Sequence, residues 1–237
     1  MSTPPPLFAV IGDVHGRMGL LRTVLRRISR EKVQGILLVG DLSCARNAPR
    51  GSGRGARYLE VVGEVLAAVR AVARPVFFVP GNHDWPDLEL PGNLDCRAIT
   101  VGGVSLAGLG GAGPARFGFP YEWSENDAAM RLPQKADILV SHTPPLNTPL
   151  DLTYTKVQAG SAAVRTWALE RGKVLVCGHI HEGAGVFRLG DCLCLNAGGL
   201  GEPSPRAQVG FVRGTDEIWH EDLEAGTVSR LTRASAG

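Results

Sequence analysis

Five apolar runs punctuate the chain, and each hands over abruptly to small and polar residues. They read LFAVI-GDVHG, GILLV-GD, VFFVP-GNHD, ILV-SHTPP and VLVC-GHIH. Short runs rich in Val, Ile, Leu and Phe, with no polar alternation, predict strands buried on both faces. Strands are therefore expected at 7–11, 36–39, 76–79, 137–141 and 173–177, with two more at 97–101 and 104–108. Between them the period changes. Residues 18–30, MGLLRTVLRRISR, place Leu21, Leu25 and Ile28 on one helical face. Residues 58–73 predict a second helix ending before Pro75. Ser161 reads as the N-cap of a third over 162–171.

Beyond His181 the pattern becomes strand after strand. VFRLGDCLCLNAG reads as a hairpin turning at Gly190-Asp191. QVGFVRG and EIWHEDLEAGTVSRL predict further antiparallel strands, turning near Ala225-Gly226, and the C-terminal RASAG is expected to fray. Two sheets packed face to face and covered by helices satisfy both halves of an α/β chain. With no internal repeat and no visible boundary, one domain over 1–237 is expected.

The residues that follow the runs carry the candidate chemistry. They are Asp13, His15, Asp41, Asn82, His83, Asp84, His142, His179 and His181; of the 6 histidines only His220 lies elsewhere. Imidazole and carboxylate together suit Mn, Zn, Fe, Co or Ni better than Ca or Mg. The donors exceed what one tetrahedral ion needs, and no cysteine is among them, which excludes a thiolate structural zinc site. Two ions about 3.5–4 Å apart, bridged by one carboxylate, would use them all and form a clamp for displacement at phosphorus. Gly12, Gly40, Gly81 and Gly178 each stand directly before a ligand, where glycine is expected to let the chain turn sharply and approach an ion. All these ligands would then sit beyond the carboxyl ends of strands, where open α/β sheets place their sites.

The series GDVHG, GD, GNHD, SH and GHIH resembles the calcineurin-like metallophosphoesterase superfamily. The GNHD and GHIH forms look most like class III cyclic nucleotide phosphodiesterases and small bacterial relatives. The resemblance implies a four-layer αββα sandwich. It implies that Asp13, His15 and His181 bind one metal, that Asn82, His142 and His179 bind the other, and that Asp41 bridges them with a shared water or hydroxide. His83 would bind no metal and would serve as general acid or phosphate-binding group. Two divalent transition ions are the implied cofactors, Mn foremost, with Fe, Zn, Co or Ni as alternatives. One departure stands out. The protein phosphatases of the superfamily read GDxVDRG where this chain reads GDLSCARN, so Cys44 takes the acidic position and Ala45 the arginine position. This argues against that branch. Asp84 is a weak candidate to orient His83 instead.

Composition fits an enzyme domain. A formal net charge of +2 calls for no polyanionic partner. The 5 cysteines show no framework spacing, which predicts reduced thiols and a cytoplasmic protein. The start, MSTPPPLFAV, lacks the features of a secretory signal. No apolar stretch approaches a membrane span.

Four features invite a functional reading. Arg46, Arg50, Arg54 and Arg57 lie among Gly, Ser and Pro in 46–57, which reads first as a solvated, mobile loop and second as a phosphate grip. Phe117, Phe119, Tyr121 and Trp123 alternate in 117–123, read first as packing anchors and second as a roof for a nucleobase. Asn196 ends a strand and is suited to cap a turn. His220 is expected at the surface. The function expected is a dinuclear phosphodiesterase acting on a small-molecule or nucleotide phosphodiester through attack of a metal-bridging hydroxide. A phosphomonoesterase or nuclease on the same site, or a non-catalytic scaffold, are the alternatives; neither a nucleic-acid nor a membrane partner is expected.

Overall fold

Alternation along single strands sorts the apolar side chains into three cores. In β1 (Leu7–Ile11) every residue is buried, but Leu7, Ala9 and Ile11 belong to one core and Phe8 and Val10 to another. In β9 (Cys192–Asn196) Leu193 and Leu195 join the same core as Phe8, while Cys192 and Cys194 face away into a third. Three cores separate four layers. This computed structural model describes residues 4–233, so the expected C-terminal RASAG lies outside it beyond Arg233.

The remaining elements are α1 (Met18–Ile28), β2 (Gly35–Leu38), α2 (Gly53–Arg70), β3 (Val76–Phe78), β4 (Ala98–Val101), β5 (Val104–Leu109), α3 (Glu125–Arg131), β6 (Ile138–Ser141), α4 (Ala162–Arg171), β7 (Val174–Cys177), β8 (Gly185–Leu189), β10 (Gln208–Arg213), β11 (Glu217–Asp222) and β12 (Thr227–Thr232). One sheet runs β12-β11-β10-β1-β2-β3 and the other β4-β5-β6-β7-β9-β8. β1, β2 and β3 are parallel in the first, as are β5, β6, β7 and β9 in the second. The later strands join antiparallel: β10, β11 and β12 extend the first sheet beyond β1, and β8 closes one edge of the second. Leu21, Val24 and Ile28 of α1 and Val62, Leu66 and Val69 of α2 cover the outer face of the first sheet. Ala128 of α3 and Val164 and Trp167 of α4 cover the second. Between the sheets lie Phe8, Leu37, Val140, Val176, Leu195 and Ile218. The αββα sandwich is as expected.

Three expectations need correction. Helix α2 starts at Gly53 and ends at Arg70, so Arg54 and Arg57 are helical. The Ser52 hydroxyl caps it by accepting from Gly55 N at 3.0 Å. Gly55 is no helix breaker here: a side-chain carbon there would meet Pro49 O at 2.4 Å. Second, α3 was not expected. It is short and held by a reciprocal capping box between Ser124 and Asp127. Third, His220 is buried, not at the surface; it lies on β11 opposite Ser229 of β12, and its Nε2 has no partner.

The core between the sheets should carry much of the stability. Leu37→Ala should cost about 2–5 kcal/mol in denaturant unfolding, because the cavity opens where both sheets press together. Val228→Ala, on an exposed edge strand, should change stability by no more than about 0.5 kcal/mol.

Candidate metal centre

The carboxyl ends of β1, β2, β3, β6 and β7 meet along the seam between the two sheets, and all eight expected site residues converge there. His181 Nε2 lies 3.3 Å from Asp13 Oδ1. His15 Nε2 lies 3.5 Å from Asp41 Oδ2, and His142 Nε2 lies 3.7 Å from Asp41 Oδ1. Asp41 thus turns one oxygen to each histidine. The His15 and His181 rings are 5.6 Å apart, and the His142 and His179 rings 5.0 Å apart. Asn82 Oδ1 lies 2.8 Å from His142 Nε2. Potential ligand atoms of Asp13, His15 and His181 form one cluster, and those of Asp13, Asp41 and His142 a second.

Backbone strain concentrates here. Asp13, His15, Asp41 and His179 all adopt left-handed φ, at 43°, 45°, 49° and 66°. Each such residue costs on the order of 1 kcal/mol, and strain of this kind persists where surrounding structure enforces it. Backbone hydrogen bonds do so: His15 N donates to Asp41 O at 2.8 Å, and His179 N to Asp13 Oδ2 at 3.0 Å.

The glycines before the ligands act differently from expectation. Only Gly40 among the four has a left-handed φ. Instead each glycine clears space for a group of another segment. A side-chain carbon at Gly178 would meet Asp13 Oδ2 at 2.1 Å, one at Gly81 would meet Asp41 Oδ1 at 2.0 Å, and one at Gly40 would meet His142 Nδ1 at 2.4 Å. Gly12 packs against Gly198 O in the same way, at 2.1 Å.

The donors fit cations. Val39 O can only accept, so the 2.8 Å contact from His142 Nδ1 puts the ring proton there. His142 Nε2 is then a lone pair, pointing at the Asn82 carbonyl oxygen. A cation between these two acceptors, 2.8 Å apart, satisfies both, whereas burial disfavours supplying the charge as an imidazolium. The carboxylates agree. Burial would raise Asp13, yet His181 holds it well below the usual range. Asp41 is pushed well above that range, by burial first and then by the Asp13 charge. Burial likewise lowers His15 and His179 to about 3, keeping their lone pairs free near neutral pH.

His83 sits beside this set. Its Nδ1 lies 3.5 Å from Cys44 Sγ, so Cys44 makes the contact from the acidic position of the motif. Its backbone N donates to Asp41 Oδ1 at 2.9 Å. Asp84 does not orient it. The Asp84 carboxylate accepts from Gly81 N, Leu42 N and Ser43 N and from Tyr58 Oη, tying the β2 and β3 loops together. The arginine loop is held, not free: Arg46 stacks on Phe119 at 4.7 Å and donates to Phe117 O, while Arg50 stacks on Trp85 at 4.2 Å and pairs with Asp87. The aromatic run divides. Tyr121 and Trp123 are buried anchors, Phe119 packs against the His83 ring at 4.4 Å, and Phe117 is exposed. Asn196 caps its turn by accepting from Gly198 N. It also donates to Ile180 O, which holds the backbone beside His181.

A family model described as calcineurin-like phosphoesterase matches residues 6–183. The chain belongs to this family. It is therefore a phosphoesterase family member, with buried Asp/His clusters suited to divalent metal. An uncharacterized protein of Methanocaldococcus jannaschii is 29% identical over 147 residues, which cover 56% of this chain; the chain spans 65% of that curated relative. The fold is similar to that of a dimetal phosphatase from Danio rerio, with a TM-score of 0.67 at 16% identity over 98% of this chain and 99% of that one. It is also similar to YfcE, a phosphoesterase from E. coli, with a TM-score of 0.52 at 17% identity over 96% of this chain and 99% of that one. At these identities the two structures support the fold.

Gly178→Ala tests the clearance argument. The added methyl must displace the Asp13 carboxylate, so affinity for Mn should fall by about 10- to 100-fold in calorimetric titration. Unchanged Mn affinity in a folded Gly178→Ala protein would show that Asp13 needs no such space.

Proposed function

We propose that the protein is a dinuclear phosphodiesterase for a small-molecule or nucleotide phosphodiester, in line with the class III cyclic nucleotide phosphodiesterase motifs. The observation that carries this reading is Asp41, with one oxygen toward His15 and the other toward His142, at the junction of two ligand sets. Asp13, His15 and His181 would hold one ion and Asn82, His142 and His179 the other, with Asp41 shared. Two divalent ions, Mn foremost, would supply Lewis-acid charge for the ester oxygens and acidify a water.

The chain's own groups do the rest. The left-handed strand-end residues hold the ligand side chains in place before substrate arrives, so little reorganisation remains to be done. His83 donates the proton to the departing oxygen. Burial, with the His142 and Arg46 charges, lowers His83 to about 4, although Asp13 opposes this. An anionic phosphate beside the ring acts in the same direction as Asp13, so His83 takes up its proton together with substrate. Cys44 Sγ contacts Nδ1 at 3.5 Å, and the His83 ring stands perpendicular to that of His15 with centroids 5.1 Å apart.

The ester class follows from where the guanidinium groups go. A monoester dianion gains most from a bidentate arginine. Arg46 is ordered, but its hydrogen bond goes to Phe117 O and its face to Phe119, not to the Asp13 and Asp41 set. A diester monoanion needs only two cations and His83.

All five cysteines are free, which fits a reducing compartment and a cytoplasmic protein. No helix among the described residues is long and apolar enough to cross a membrane.

Two measurements test this reading. Asp41→Ala should lower the content of both metals, whereas His83→Ala should retain them and lose about 10²–10⁴ in rate. Metal loss from the His83 variant would place that residue among the ligands. With Mn, bis(p-nitrophenyl) phosphate should be cleaved with higher kcat/KM than p-nitrophenyl phosphate. A clear preference for the monoester would refute the diesterase reading and leave the metal site standing.

A further inference from the structure

A cavity of about 370 Å³ opens from the metal centre along the aromatic loop. Its inner wall includes Asn82 and His179, both from the second ligand set. Phe117, Phe119, Pro114 and Val157 supply much of the outer wall. Its volume falls within the range of small-molecule sites, roughly 300–1,000 Å³.

The wall residues are unusual for a surface. Phe117 is 54% exposed and Val157 57% exposed, although they come from separate loops and line the same space. The Phe117 loop is not loose. Phe117 N and Gly118 N donate to the Glu122 carboxylate at 3.0–3.1 Å, and Arg46 holds Phe117 O from the other side. Arg116 lies over the Phe117 ring at 5.0 Å from its centroid, yet the ring stays half exposed, so a loop held in this way beside a phosphoester site still offers an aromatic surface on which a flat group can stack. The charges in the lining are of both signs and already engaged: Arg116 lies on the Phe117 ring, Glu122 accepts from Phe117 N and Gly118 N, and Glu125 accepts from Ser161 Oγ and Ala163 N, so the cavity suits an uncharged ring better than a second ion.

We propose that this cavity binds a planar, uncharged aromatic ring of the substrate, of the nucleobase type, while the phosphoester lies on the Asp/His/Asn set. The assignment rests on the phosphoesterase reading above and narrows it to esters that carry such a ring next to the phosphate. It also gives Phe117 a role that packing does not, since Tyr121 and Trp123 alone anchor the loop in the core.

The test is calorimetric binding of two ligands to the full chain loaded with Mn. Adenosine 5′-monophosphate and ribose 5-phosphate share phosphate and sugar and differ only in the base. The adenosine ligand should bind roughly tenfold more tightly, in keeping with a base stacked on an aromatic side chain. Phe117→Ala should remove most of that advantage and leave ribose 5-phosphate binding within about twofold, whereas Phe117→Trp should restore it. Equal binding of the two ligands, or an advantage that survives Phe117→Ala, overturns the ring site while the phosphate site stands. Binding of neither ligand overturns the ring site, while the phosphoester reading is decided separately by cleavage of bis(p-nitrophenyl) phosphate.

Discussion

Two carboxylates are buried side by side at the seam between the sheets, and the rest of the structure is arranged around that fact. Asp13 and Asp41 are 0% and 2% exposed, so neither can rely on water for its charge. Burial first and then repulsion from Asp13 raise Asp41, while His181 holds Asp13 low against its own burial. The imidazoles nearby are mostly held neutral by burial, so they offer lone pairs and not compensating charge. Such a cluster is costly for a protein on its own and becomes favourable only with cations. Bringing it together requires strand ends from both sheets within a few ångströms of each other. Glycines at those ends make this possible by leaving out side chains where a neighbour's ligand must pass.

The centre was legible in the sequence because each ligand sits at a fixed offset from an apolar run. Local pattern fixes the strand, the strand fixes the direction, and parallel neighbours bring their carboxyl ends together. That logic reached the eight candidate residues that the fold brings together at the seam. It could not reach contacts made across long stretches of chain. Arg46 and Phe119 meet only after folding, so a glycine-flanked arginine loop looked solvated. Asp84 stands next to His83 in sequence, yet its partners are Leu42, Ser43 and Tyr58. His220 alternates with polar residues on β11 and looked exposed, but the hairpin with β12 and the chain around Ala197 bury it. The early start of α2 was hidden by Gly53 and Gly55, of which Gly55 packs closely against Pro49 and Trp85 while Gly53 meets no neighbour.

The parts that do chemistry and the parts that choose substrate come from different kinds of structure. Ligands leave short, buried, parallel strands whose positions tolerate little change, because a slip of one residue would exchange the faces of the strand. The aromatic run from Phe117 to Trp123 belongs to a loop between β5 and α3, anchored inside by Tyr121 and Trp123 and turned outward at Phe117. Changes at the outward positions leave the core and the buried Asp/His clusters untouched. On the proposed reading, one metal centre serves many esters, and what this chain accepts is decided where Arg46, Phe119 and Phe117 meet the second proposed ligand set. That division explains why motif spacing points readily to a candidate metal centre and poorly to a substrate. The first is written in strand ends, which obey general rules. The second is written in one loop, whose shape depends on contacts with Glu122 and Arg46 that no local pattern announces.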